Sequence, residues 1–139
     1  MNSELRKAKN LSDKHLMLFL LMNEWVKVKQ QGKSVSDKLL QQDIHKVAVY
    51  GMSYVGQRLC DELKGSDVKI IGCLDQKGGG KYSGYSITAA DDIPGDIDAI
   101  IVTPVFYFDD IRKKLEGKTN AKIVSVEEII YGLSESKRV

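Results

Sequence analysis

The sequence predicts an α/β protein: a doubly wound parallel sheet of five strands in the order 3-2-1-4-5, preceded by a helical appendage. Three observations predict it. Short apolar runs alternate with segments of helical period, and no hairpin signal separates them. The first run, Val47-Ala-Val-Tyr-Gly51, ends on a glycine, and Gly56 follows five residues later inside a helical pattern. Asp75 closes the next apolar run, 24 residues after Gly51. Alternating strands and helices joined by right-handed crossovers give a parallel sheet with helices on both faces.

Residues 1–10 are polar and are expected to fray. Ser12 and Asp13 offer an N-cap, so the first helix is expected over 13–31, stopped by Gly32. Leu11, His15, Leu18, Met22 and Trp25 form one stripe, and Leu16, Phe19, Leu20 and Val26 widen it. A helix apolar over so much of its girth needs two partners. One side suits the domain; the other is expected to form a homodimer contact. His15, on this apolar surface, is expected to be a packed core histidine. Ser34 or Ser36 opens a shorter helix ending near Gln42. Residues 1–43 are therefore the appendage and 44–139 the domain proper.

The domain opens with a strand over 46–50 and a helix over 53–64, whose Val55, Leu59 and Leu63 face the sheet and which Gly65 caps. A second strand covers 68–74. The stretch 76–84 holds four glycines and two lysines and is expected to be a mobile loop. A short third strand is expected at 85–87, then a short helix ending at Asp92 before Pro94-Gly95. The run 97–103 is the most apolar and is expected to be central. A helix over 105–116, a last strand over 121–124 and a helical turn or two over 126–131 complete the reading.

Composition narrows the function classes. With 42% apolar and 29% charged residues the chain is an ordinary globular protein. A net charge of +2 is too small for a nucleic-acid footprint. The basic bias sits in the first 50 residues, with nine Lys/Arg against five Asp/Glu. Cys60 and Cys73 have no histidine at ligand spacing, so they read as inert core thiols of a cytoplasmic protein. The longest apolar run, 16–22, is far too short for a membrane span.

The chemistry concentrates at the carboxyl ends of the first, second and fourth strands. In the loop Gly51-Met52-Ser53-Tyr54-Val55-Gly56, Gly51 permits the tight turn and Gly56 lets the helix pack close to the strand. Ser53 replaces the middle glycine of the dinucleotide pattern; its hydroxyl can meet a phosphate or cap the helix. Tyr54 can stack on a base or fill a pocket wall. Asp75 stands where a ribose-binding acid would stand and favours NAD over NADP, although Lys77 and Lys81 pull the other way. Thr103 and Pro104 line the opposite wall of the crevice. Each has a plainer reading: glycine for turn geometry, Asp75 for starting a loop, Thr103-Pro104 as a strand-to-helix junction. No Tyr-x-x-x-Lys pair, Ser/His/Asp set, metal cluster or Lys-bearing phosphate loop is present, so catalytic groups are absent or come from another chain.

From Lys46 onward, about 85 residues resemble small Rossmann-like NAD(P)- or nucleotide-sugar-binding domains. Such domains belong to bacterial surface-polysaccharide and sugar-nucleotide pathways, beside epimerases, dehydratases and acyl- or glycosyltransferases. The resemblance rests on Val47-Ala-Val-Tyr-Gly-Met-Ser-Tyr-Val-Gly56, Ile71-Gly-Cys-Leu-Asp75, Gly84-Tyr-Ser-Ile87 and Asp96-Ile-Asp-Ala-Ile-Ile-Val-Thr103. It implies a module holding NAD or a nucleotide-linked sugar at the Gly51 and Asp75 ends. The chain departs from the pattern at Ser53 and shows no catalytic second domain, which points away from independent catalysis. Two alternatives stand beside this: an oligomeric NAD-dependent oxidoreductase or sugar-nucleotide-modifying enzyme, and an interaction module whose pocket has decayed.

Overall fold

The computed structural model describes residues 2–135; Met1 and 136–139, the outer ends of the two expected segments, lie outside the described residues. Helix α1 runs Ser3–Gln30, ten residues longer at its start than expected. Asn2 caps it by accepting from the Leu5 amide at 2.8 Å, and Glu4 sits in the first turn. Helix α2 (Val35–Gln41) is capped by Ser34, which accepts from the Asp37 amide. Then come β1 (Lys46–Tyr50), α3 (Tyr54–Leu63), β2 (Lys69–Asp75), β3 (Lys81–Tyr82), β4 (Tyr85–Ala89) and β5 (Ala99–Val102). A 3-10 turn (Val105–Tyr107) leads into α4 (Phe108–Leu115), followed by β6 (Lys122–Ser125) and α5 (Val126–Glu135).

The six strands lie in the order β3-β4-β2-β1-β5-β6. β3 pairs antiparallel with β4, and every other pair is parallel. The sheet is thus mixed and six-stranded, not the wholly parallel five-stranded sheet of order 3-2-1-4-5, with the added strand at one edge. The cause is a hairpin in the stretch expected to be a loop. Ser83 (φ 51) and Gly84 (φ 89) are both left-handed and close a two-residue turn between Tyr82 and Tyr85. The hairpin is tied to α3: the Tyr82 hydroxyl donates to Asp61 at 2.9 Å, Arg58 donates to both, and the Lys64 ammonium donates to the Ser83 hydroxyl. The Tyr82 and Arg58 hydrogen bonds hold the Asp61 carboxyl below its ordinary range. The short helix expected before Asp92 is replaced by strand, because Thr88 and Ala89 continue β4 against Leu74 and Asp75.

Strand alternation sorts the core into two layers. Val47, Val49, Cys73, Ala99 and Ile101 face one cluster, built with α1, α2, α3 and α5. Ala48, Tyr50, Leu74, Ile100 and Val102 face the other, covered by Ile111 and Leu115 of α4. Leu21, Trp25 and Val28 of α1 and Val35 and Leu39 of α2 belong to the first cluster, so both N-terminal helices share the domain's core. Glu62 of α3 fastens them. Its carboxylate accepts from the Trp25 indole at 2.7 Å and from the Val35 amide at 2.6 Å, with Lys29 at 3.6 Å.

The opposite face of α1 is bare. Leu16, Phe19, Leu20 and Val26 are exposed, Phe19 by 68%. His15 is also exposed, contrary to its expected place in the core. Cys60 and Cys73 are buried free thiols with sulfurs 3.7 Å apart; hydrogen bonding to Cys73 and burial push the Cys60 thiol well up, leaving it protonated. Among the described residues no helix is long and apolar enough to cross a membrane, and no group of three His, Cys, Asp or Glu is placed to hold a metal.

Candidate functional site

In an open α/β sheet, ligands gather beyond the carboxyl ends of the strands, where the connections leave toward opposite faces. Here that place lies between β1 and its neighbours β2 and β5. Its first component is a locked turn. Gly51 (φ +92) leaves β1, and a Cβ there would meet Pro104 Cδ and Thr103 Oγ1 at 2.7 Å. Gly56 packs α3 onto the turn so closely that an added Cβ would lie 1.9 Å from the Gly51 carbonyl oxygen. The Thr103 hydroxyl, 1% exposed, lies 2.8 Å from both the Tyr50 and Gly51 carbonyl oxygens. Thr103 therefore positions the turn from within.

The second component is Asp75. One carboxylate oxygen accepts from the Met52 amide at 3.2 Å, and the other from the Gln76 amide at 2.8 Å. The carboxylate thus holds the glycine turn to the end of β2 while remaining partly exposed. Met52 contributes this amide; its side chain is buried in the core.

A cavity of about 220 Å³ opens beside Asp75, lined among others by Tyr50, Gly51, Pro104, Tyr107, Ile111 and Lys114. Tyr50 is nearly buried there; burial first, then the charge of Asp75, pushes its phenol up, so the hydroxyl stays protonated. Pro104 separates this cavity from a smaller one of about 90 Å³, which Ser53 and Thr103 share with Phe106, Tyr107 and, from α1, Lys14 and Leu18. The Lys14 ammonium stands 5.3 Å from the centre of the Tyr107 ring.

The structure thus brings Gly51, Asp75 and Pro104 into one cavity and puts Ser53 and Thr103 on the other side of Pro104. Gly56 lies behind the turn. Tyr54 is 80% exposed and lines neither cavity. Sequence reading missed Tyr107, Ile111 and Lys114. The signal was available: they recur at i, i+4 and i+7 along the segment after the central strand, so they share a face.

A larger concavity of about 580 Å³ lies at the opposite end of the sheet, lined among others by Asp43, Ile44, Pro94, Asp98 and Lys118. It sits at the amino ends of β1, β5 and β6. Its Asp98 carboxylate is already engaged by the His45 and Lys46 amides, at 2.8 and 3.0 Å, which hold the carboxyl below its ordinary range. Its position at the amino ends of the strands makes it the weaker candidate.

A family model described as C2185-like, N-terminal, matches residues 43–130. No curated protein and no solved structure matches the chain. The matched stretch covers more than half of the chain, which therefore belongs to this family. It contains the glycine turn, Asp75, Pro104 and the cavity-lining face of α4; α1 lies outside it.

Proposed function

We propose that this member of the C2185-like N-terminal family is a cytoplasmic nucleotide-binding module, not catalytic by itself, that holds NAD or a nucleotide-linked sugar. One observation carries the reading: a carboxylate with spare acceptor capacity faces a cavity at the carboxyl ends of β1 and β2, beside a glycine turn. A carboxylate offers about four lone-pair sites. The Met52 and Gln76 amides take two, and the vicinal hydroxyls of a ribose match the other two. Tyr107 and Ile111 supply an apolar wall for a base, and Lys114 supplies a cation. Phosphates run from there over Gly51 to the first-turn amides of α3, which Ser53 leaves without a side-chain cap. The negative charge of Asp75 favours a free 2′-hydroxyl over a 2′-phosphate, hence NAD over NADP. The resemblance of the 47–103 motifs to nucleotide-sugar and NAD-binding domains supports a place in carbohydrate metabolism. Calorimetric titration with NAD, AMP and UDP-glucose tests the reading. Submillimolar binding of at least one is expected, and no heat from any of them refutes it.

A second role is favoured by the bare face of α1. Leu16, Phe19, Leu20 and Val26 are exposed on the side away from the core residues Leu21, Trp25 and Val28, and their 3-4 spacing suits a helix seam. The chain pairs with a second copy through this seam. Sedimentation is expected to show a dimer for the wild type and a monomer for Leu16→Asp/Phe19→Asp, with little change in thermal stability because both sites are solvent-exposed. Equal masses, or a wild type that stays monomeric at high concentration, contradict the pairing.

A further inference from the structure

We infer that the site seats one nucleotide and has no seat for the second half of a dinucleotide, a restriction that rests on the nucleotide reading above. A dinucleotide bound across a doubly wound sheet lies over the first strand, with one half on each side of the glycine turn. In this chain the two sides are unequal. The side bearing Asp75, Tyr107 and Lys114 holds about 220 Å³. The side beyond Pro104, where the other half would lie, holds about 90 Å³. Cavities that bury a drug-sized ligand run about 300–1,000 Å³. The first volume falls short of that range and suits only a compact nucleoside with its phosphate passing out over Gly51, and the second, less than half as large, is too small for another nucleoside.

The partition is built in. Pro104 is locked against Gly51, whose missing Cβ alone makes room for the proline ring. The Thr103 hydroxyl lies 2.8 Å from the carbonyl oxygens of both Tyr50 and Gly51, so the wall cannot move without losing the buried hydrogen bond it donates there. The roof of the smaller cavity comes from α1. Leu18 and Lys14 lie over Ser53 and Phe106, and Lys14 stands against Tyr107. Trp25 and Leu21, farther along the same helix, are anchored in the core, and the Trp25 indole is hydrogen-bonded to Glu62. The helix that closes the second half-site therefore lies outside the matched family stretch. NAD binds such a site through its adenylate half only, with the nicotinamide end in solvent. A nucleotide sugar likewise leaves its sugar exposed.

Titrating the full chain with AMP, UMP and NAD decides this. NAD is expected to bind within about threefold of the better mononucleotide, because its second half adds no contacts. NAD binding tenfold or more tightly than both mononucleotides overturns the restriction while leaving the nucleotide reading intact. No binding of any of the three overturns the nucleotide reading itself. A second measurement tests the cause. Leu18→Ala/Phe106→Ala enlarges the smaller cavity without touching the larger one and is expected to raise the NAD-to-AMP affinity ratio several-fold. An unchanged ratio in a folded variant shows that α1 is not what excludes the second half, and the wild-type ratio stands whether or not that variant folds.

Discussion

Gly56→Ala is expected to destabilise the domain by about 3 kcal/mol or more, at the upper end of overpacking costs. The alanine Cβ would stand 1.9 Å from the Gly51 carbonyl oxygen, which is backbone and has no rotamer to change. Relief requires α3 to move off the turn, and that pulls Val55 and Leu59 out of the core. A domain of this size is stable by only about 5–15 kcal/mol, so the melting temperature should fall by roughly 10 °C or more. Gly65→Ala is the control. Gly65, unlike Gly56, has a positive φ (+80), and nothing lies within 4 Å of the added Cβ. Its cost is the backbone penalty alone, about 1–2 kcal/mol. Equal losses for the two variants contradict the packing argument.

Asp75→Ala is expected to weaken nucleotide binding about 10- to 100-fold. Hydrogen bonds to a charged group contribute about 1.5–3 kcal/mol, and each 1.4 kcal/mol is tenfold in affinity. The substitution also strips the Met52 amide of its partner, so a smaller loss of stability accompanies it. Discrimination against a 2′-phosphate separates the two effects. The wild type should reject adenosine 2′,5′-bisphosphate relative to AMP, because the phosphate faces a carboxylate. Asp75→Ala should bind the two more nearly alike. Weakened binding with discrimination unchanged would mean that Asp75 acts only by holding the turn.

The glycine turn and Asp75 were legible because they are local. A strand that must turn sharply into a helix needs a residue free to take positive φ, and a helix packed onto that turn needs a residue without a Cβ. The hairpin at 81–85 was not legible. Its strand β3 is two residues long, too short for periodicity, and the Ser83-Gly84 turn sits in a stretch whose other glycines read as a mobile loop. The first turns of α1 were missed for a different reason. Residues 3–10 are rich in good helix formers, but Leu5 and Leu11 are exposed there, so no apolar period marks them. The two faces of α1 could be seen in the sequence, whereas the inward position of Leu18 and Trp25 follows from which core they meet. The part the Thr103 hydroxyl plays in the turn was not legible, because chain order cannot show that the Tyr50 and Gly51 carbonyls approach it across the sheet. The cavity face of α4 follows from helical period together with a strand order that places β5 beside β1.

Amide chemical-shift mapping of the labelled chain during titration with AMP tests the central claim most directly. The account predicts saturable shifts at Gly51, Met52, Gln76, Tyr107, Ile111 and Lys114, with those at Gln42, Ile44, Gly95 and Lys122 left in place. Shifts confined to that second group, or no shifts at millimolar AMP, would contradict it.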